Sequence, residues 1–537
     1  MKKAKRIISI LLVLVTTFGL LTGCGEKKTA NEGPRKLTVG IPQDATIPDY
    51  NTNAFVKYLE EKTNIDIEFT YFASGASNYK QQLTLMCTGG EKLPDVLLGF
   101  TGMSHYVVNQ FGEDGFIVDL TDLIEEHAVN YKEQLKNLPD DLQTYIKEKG
   151  VNTNDGSFYA MPFVTLECID NLQSLVYINQ TWLDKLGLQI PTTVDELYNV
   201  CKAFATQDPN GNGEADEMPI LNGSTLYNYI INAFVEYDFY DFNVDENGKV
   251  WDAVTTDEFR QALIFINKMV SENLYNELSF TLDKKEMKNM ISPVKGDPRV
   301  GIFGDHHESS TNAATDILDD FVALPALADA TGKGGYTIYT KPSVSWSAYI
   351  TKDCDNPELA MELLDAFYMD ETVSRMRHGE KDVDWVYEEG KNAYGTDSYV
   401  KIINSQAYFD GSLNKCTANW LGILTQWNYL AIETKGEGRI AQASRLQTEQ
   451  WNIVQTANIP KQSVDRLIYT TEEYELREKK VGNMDDYITE SMVLFMTGEK
   501  NPSDDKAWNE FLDTLESLGR SEIMEVAQNA YNRKIAK

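Results

Sequence analysis

The chain has 537 residues, 42% of them apolar and 24% charged, with a formal net charge of −33. That length exceeds what one hydrophobic core usually covers, so two lobes are expected. So acidic a surface repels nucleic acid and anionic lipid, which excludes nucleic acid as a partner, and it disfavours polyanionic ligands unless a local basic pocket overrides the field.

The first residues read as a targeting segment. Lys2, Lys3, Lys5 and Arg6 precede an apolar run from Ile7 to Leu20 that is too short for a membrane span, and Leu21-Thr22-Gly23-Cys24 closes it. Small residues directly before a cysteine resemble the bacterial lipobox, so residues 1–23 are expected to be a lipoprotein signal and Cys24 the lipidated N-terminus. Residues 24–35, polar and rich in Lys, Glu, Asn and Gly, then form a tether. The body is expected to be extracytoplasmic, held at a cell membrane, and to carry about −37 once the four basic signal residues are gone. The other cysteines (Cys87, Cys168, Cys201, Cys354, Cys416) show neither metal spacing nor a disulfide framework and read as small buried residues.

Leu37 to Ile41 alternates like a strand, Ala54 to Lys62 has helical spacing, and Ile65 to Phe69 alternates again, which makes a βαβ unit. A helix near Tyr79–Cys87 and the apolar run Leu93–Gly99 follow, as in a parallel sheet buried on both faces. In such an α/β lobe ligands meet the loops at the carboxyl ends of the strands, here residues 71–79 and 100–106. Gly156–Phe163 and Leu172–Ile178 look like strands leading out of this lobe. A helix containing Trp182, Leu183 and Leu186 stops at Gly187, and Thr193 with Glu196 spells a capping box for a helix burying Val194, Leu197, Cys201 and Phe204.

That helix runs into Asp208-Pro-Asn-Gly-Asn-Gly-Glu-Ala-Asp-Glu217. Oxygen side chains fall at loop positions one, three, five and nine (Asp208, Asn210, Asn212, Asp216), with Gly213 at position six where a calcium loop turns sharply. The carbonyl of Glu214 and the carboxylate of Glu217 complete a possible cage for Ca2+. Pro219 stands where a bidentate Glu is normal, so the loop is a variant, and its role reads as structural. A plain Asn- and Gly-rich turn is the competing reading.

Further on, Thr255-Thr256-Asp257-Glu258 opens a capped helix with Phe259, Leu263, Ile266 and Val270 inward, and Val300–Gly304 is a short strand ending in Asp305-His306-His307. Adjacent histidines on a strand point to opposite faces and make a poor metal pair, so Asp305 is better placed as a ligand contact. Ser345–Ile350 reads as a strand, Asn356-Pro357 as a helix start, and residues 485–496 and 507–532 as two helical stretches.

Several segments together resemble the extracellular solute-binding proteins of bacterial ABC sugar importers in their larger lipoprotein form: the lipobox, Leu93-Pro-Asp-Val96, Trp182–Leu188 followed by Pro191-Thr-Thr193, the acidic loop closed by Met218-Pro219, and Gly379-Glu-Lys-Asp-Val-Asp-Trp385. The resemblance implies a type II periplasmic-binding-protein-like α/β fold with two hinge-linked lobes and a helical C-terminal region. We expect one lobe from residues 36–165 plus about 338–380, and the other from 166–337 plus about 381–537. It also implies a saccharide ligand, an ABC permease as partner, no catalysis, and a structural calcium held by Asp208, Asn210, Asn212, Glu214, Asp216 and Glu217. Asp384 and Trp385 carry over from the matched motif as sugar contacts. Trp346, Trp420, Tyr79, Glu167 and Asp305 are further candidates by their placement at strand ends or between lobes. The receptor is expected to act as a monomer. Two rivals stay open, an anchored glycoside-acting enzyme and a polysaccharide-adhesive surface lipoprotein, although no zincin, Gly-x-Ser-x-Gly or phosphate-loop signature occurs.

Overall fold

The computed structural model describes residues 35–536 apart from 45–46, 153, 167–174, 223, 239–241, 305–310, 312–316, 337–342, 405, 407–412, 418–419, 426–427, 429, 437, 459–463 and 465. The signal segment, Cys24 and the tether therefore lie outside the described residues, as do Glu167, Cys168, Asp305 and the histidine pair.

In chain order, β1 (Lys36–Pro42), α1 (Ala54–Thr63), β2 (Asp66–Phe72), α2 (Ala76–Gly89) and β3 (Val96–Leu98) form the expected parallel start. Four helices follow, α3 (His105–Glu113), α4 (Thr121–His127), α5 (Val129–Lys136) and α6 (Asp140–Gly150), before β4 (Met161–Thr165). The chain then builds β5 (Val176–Asn179), α7 (Gln180–Leu186), α8 (Val194–Thr206), β6 (Met218–Ile220), α9 (Ser224–Ile231) and the hairpin of β7 (Asn243–Val244) and β8 (Val250–Trp251). After these come α10 (Asp257–Ser271), α11 (Lys284–Ile291), β9 (Val300–Gly304) and β10 (Phe321–Ala323). It continues through β11 (Ser343–Ile350), α12 (Pro357–Asp365), α13 (Asp370–His378), the hairpin of β12 (Trp385–Lys391) and β13 (Asp397–Ile402), and β14 (Gly422–Leu424). Four helices close the chain: α14 (Arg439–Thr456), α15 (Thr471–Thr497), α16 (Asp505–Ser517) and α17 (Arg520–Ile535).

Two sheets organise the molecule. The first has the order β14-β4-β11-β3-β1-β2, with β11 antiparallel between β4 and β3. The second has the order β10-β5-β9-β6, in which β9 runs antiparallel to β5. Alternate residues of β1 (Leu37, Val39, Ile41) and the all-apolar β3 fill the first core with Leu359 and Leu363 of α12. Around the second sheet, Val176, Ile178 and Ile302 pack on Val194, Leu197, Cys201 and Phe204 of α8, on α10, and on Ile488, Met492 and Phe495 of α15. The Thr193–Glu196 capping box forms as expected.

Two expectations fail. Residues 507–532 are not one helix: Gly519, at φ 94°, breaks them into α16 and α17, a conformation that other residues adopt at a cost. The chain also does not leave the first sheet near residue 381, because Gly422–Leu424 pairs in parallel with Phe163–Thr165 as its edge strand. A three-residue strand has too short a pattern to announce itself in sequence. The last helices are held by a buried bidentate pair, in which Arg520 Nε and Nη2 donate to Asp252 Oδ2 and Oδ1 at 2.8 and 3.0 Å.

Candidate functional site

The carboxyl ends of β1, β2, β3, β4 and β14 and the start of β11 share one edge of the first sheet, as the registers require. Open α/β sheets bind ligands beyond this edge. Four aromatic rings stand there: Tyr50 lies 5.5 Å from Phe69, 5.5 Å from Tyr71 and 5.7 Å from Trp420, stacking on the last at 19°. Tyr71 is 42% exposed, and the others beneath it are buried or partly so. Trp420 lies over the turn that leaves β3, where a Cβ on Gly99 would come within 3.4 Å of its Cδ1. Stacked rings with one open face suit the apolar face of a sugar.

The second sheet's corresponding edge is fastened by polar side chains. Asn222, just past β6, donates from Nδ2 to the Gly304 carbonyl at 2.9 Å, and Tyr275 donates to the Asn222 carbonyl at 2.6 Å. Helix α14 is bound to the same sheet. Arg445 Nη2 donates to the carbonyls of Leu318 and Phe321 at 2.8 and 2.9 Å, Glu449 accepts from the Ala323 N–H, and Gln450 donates to the Val176 carbonyl. From α14, Trp451 stacks on Tyr394 of the β12–β13 hairpin, with ring centres 4.6 Å apart.

Helix α15 touches both bodies. Its C-terminal half belongs to the second core, whereas Glu478 pairs with Lys80 of α2 and the ring of Tyr474 lies 4.8 Å from His105 of α3. A cavity of about 130 Å³ opens between these elements, lined by His105, Asn109, Glu148, Tyr469 and Tyr474. Burial, and then the charge of Lys149, hold His105 neutral with its pKa lowered to about 4.

Asp208–Glu217 lies far along the second body, after α8. Asp208, at φ 46°, accepts from the backbone N–H groups of Gly211, Asn212 and Gly213 at 2.9, 3.1 and 3.0 Å. Asn210 and Asn212 both donate amide hydrogens to Asp216 Oδ1. Glu217 Oε1 is buried with no hydrogen-bond partner, and burial, followed by the charges of Asp208 and Asp216, raises the Glu217 pKa. Among the described residues no group of three or more His, Cys, Asp or Glu is gathered to hold a metal. A calcium cage here therefore depends on the asparagine and carbonyl oxygens joining the carboxylates. The donor chemistry fits a hard cation, and the orphaned Glu217 oxygen is an acceptor waiting for one.

The profile of the bacterial extracellular solute-binding protein family matches residues 43–373, more than half of the chain. The chain belongs to this family. Among its relatives, the solute-binding protein resembles the fructooligosaccharide ABC transporter substrate-binding protein FusA of Streptococcus pneumoniae serotype 4, at 27% identity over 60% of this chain and 61% of that one. It is 26% identical to lipoprotein LipO of Bacillus subtilis over 56% and 57% of the two chains. The matched stretch thus spans about six tenths of these curated relatives. A solved FusA structure, an EF-hand mutant in complex with fructo-nystose, superposes with a TM-score of 0.75 at 19% identity, covering 93% of this chain and 99% of that one. The fold is accordingly that of two-lobed solute-binding proteins, and no described helix is long and apolar enough to cross a membrane.

Within this solute-binding protein the sequence-predicted contacts are dispersed. Trp420 belongs to the aromatic wall, although it is only 4% exposed. Tyr79 is buried, and its hydroxyl accepts from the Gly102 N–H at 2.7 Å, so it braces the loop after β3. Trp346 is buried beside Phe158 and His105. Asp384 and Trp385 are wholly buried: the carboxylate takes Lys415 Nζ at 2.9 Å and the Glu380 N–H, and the indole donates to the Gly379 carbonyl at 3.0 Å. Here the Asp-Trp pair locks its own turn and shows no open face, because a partner 31 residues away consumes the carboxylate. Sequence reasoning missed Tyr50 and α14, and it placed Tyr71 at the head of the ligand loop 71–79 without singling it out. Tyr71 was within reach, since it ends an alternating strand.

Proposed function

We propose that this chain is an extracytoplasmic receptor that binds an oligosaccharide between its two lobes and delivers it to an ABC permease. The observation that carries the reading is the exposed Tyr71 on a stack of buried rings at the ligand edge of the first sheet. The relation to FusA, whose name states fructooligosaccharide binding, supports the same chemistry. Tyr71 forms the sugar wall on a base that includes the buried Trp420, with Tyr79 positioning the β3–α3 loop, and Glu167 and Asp305 are proposed as further sugar contacts. Asp208, Asn210, Asn212, Glu214, Asp216 and Glu217 hold a structural calcium. The orphaned Glu217 oxygen supports this, as does the EF-hand named for the FusA structure. Cys24 carries the lipid anchor, and the protein acts as a monomer without catalysis. The first lobe takes residues 36–165 together with about 343–424, and the second takes the remainder. Melting the protein against a panel of oligosaccharides, with chromatography of each mixture, tests the proposal. Stabilisation by a sugar recovered unchanged is expected, whereas product release or indifference to every sugar refutes it.

A further inference from the structure

The exposed ring of Tyr71 has a polar neighbour. The loop that leaves β1 at its carboxyl end makes one short helical turn, Tyr50–Thr52, capped by Asp49 and Asn53, before it enters α1. Tyr50 of this turn joins the aromatic stack, and Asn51 beside it is exposed. Burial, and then the charge of Asp49, raise the Tyr71 pKa, while a hydrogen bond from the Asn51 side chain to the phenol opposes them. Asn51 Nδ2 also donates to Asp49 Oδ1 at 3.4 Å. Both contacts use the amide as a donor, and its carbonyl oxygen Oδ1 accepts from no group among the described residues. An amide oxygen has two lone pairs to offer, here at the rim of an open aromatic face.

The turn is clasped from far along the chain. Asn414 Nδ2 donates to the Asp49 carbonyl at 2.8 Å and to the Thr52 hydroxyl at 3.1 Å, and the Asn414 carbonyl accepts from the Ala54 N–H at 3.1 Å. In return Asn53 Nδ2 donates to Asn414 Oδ1 at 3.2 Å and to the Cys416 carbonyl at 2.9 Å. Asn414 stands at φ 55°, in the left-handed region that asparagine tolerates better than most residues. Lys415, between the two clasping residues, is fixed by the wholly buried Asp384. The acidic motif thus anchors the segment that holds the turn, and the turn presents Asn51 to the Tyr71 ring.

We propose that Asn51 is a specificity-determining contact of the receptor, its Oδ1 accepting one hydroxyl of the sugar unit that stacks on Tyr71, and that Asn414 is the positioning residue that holds it there. The inference rests on the receptor reading above and adds the polar contact at its aromatic wall. Calorimetric titration of the mature protein with nystose, maltotetraose, cellotetraose and xylotetraose, and then with the monodeoxy analogues of the tightest binder, tests it. Asn51→Ala is expected to melt as the unaltered protein does and to bind that sugar about fivefold to tenfold more weakly. One monodeoxy analogue should lose a similar factor against the unaltered protein and nothing further against Asn51→Ala, because the hydroxyl and its acceptor form a single pair. Asn414→Gly keeps the left-handed backbone available while removing the clasp. It should weaken the same sugar about fivefold, a loss that vanishes once Asn51 is alanine and that a merely structural role would retain. NMR of ring-labelled tyrosine should also show the Tyr71 phenol titrating at higher pH in both variants, since each removes or displaces the opposing Asn51 hydrogen bond. Unchanged affinity in Asn51→Ala, or a deoxy series that loses as much against this variant as against the unaltered protein, overturns the contact and leaves the receptor reading standing. A loss in Asn414→Gly that persists beside Asn51→Ala overturns the positioning role. Failure to bind any of these sugars, or others in the panel above, overturns both the inference and the reading it rests on.

Discussion

Removing calcium is the sharpest perturbation of the second body, because the structure specifies what the ion would neutralise. Glu217 Oε1 is buried without a partner, and Asp208 and Asp216 raise its proton affinity on top of the effect of burial. A ligand present at a hundredfold over its dissociation constant stabilises the folded state by about 2.7 kcal/mol. For a unit of roughly 300 residues, that corresponds to about 4–5 °C in Tm. The assay is scanning calorimetry in calcium, in chelator, and in chelator with excess magnesium, which should not substitute because it demands tighter octahedral geometry. The pH dependence carries its own sign. Because the folded, calcium-free loop has a raised Glu217 pKa, the proton-linked stability is fully present below the unfolded value and is lost as pH rises through the folded one. Calcium competes with that proton, so its stabilising effect should grow as pH rises above the ordinary carboxylate range and fade below it. Glu217→Gln should abolish most of the calcium response. A melting temperature indifferent to chelation, or a full response in Glu217→Gln, refutes the cage.

Replacing Arg520 with Met strands the Asp252 carboxylate in the interior and should cost about 3–5 kcal/mol in urea unfolding, whereas the double variant with Asp252→Asn should recover a large part of the loss. Tyr71→Ala gives up the ring contacts with Tyr50 and Phe69 and should cost about 1 kcal/mol of stability while weakening sugar binding about tenfold in titration. Tyr79→Phe leaves the Gly102 N–H without its acceptor and should cost about 1–3 kcal/mol by denaturant midpoint, with affinity for sugar reduced through the loop it braces.

Much of the fold was legible because its signals are local. Capping at Thr193, the proline after Asn356 and the alternation in β1 each depend on residues within one turn or strand, and each formed as read. The site was less legible because it is assembled over distance. Asp384 looks like a free ligand until Lys415 is brought to it. Trp420 was a candidate by its expected placement at a strand end or between lobes, and its stacking with Tyr50 beside Tyr71 became visible only when β2 took its place next to β1. The edge strand β14 was missed for the same reason, since its identity lies in its neighbour β4.

Helix α15 has 27 residues and so reaches about 40 Å, which lets one rigid rod be rooted in one body and lean on the other. Its root is apolar and deep, but its far end holds on by a partly exposed ion pair to Lys80 and a ring contact with His105. Partly exposed pairs are worth about 0–1 kcal/mol each. The far end is therefore the weaker of the helix's two holds. Because that hold is in part an ion pair, added salt should loosen it well before the apolar root gives way.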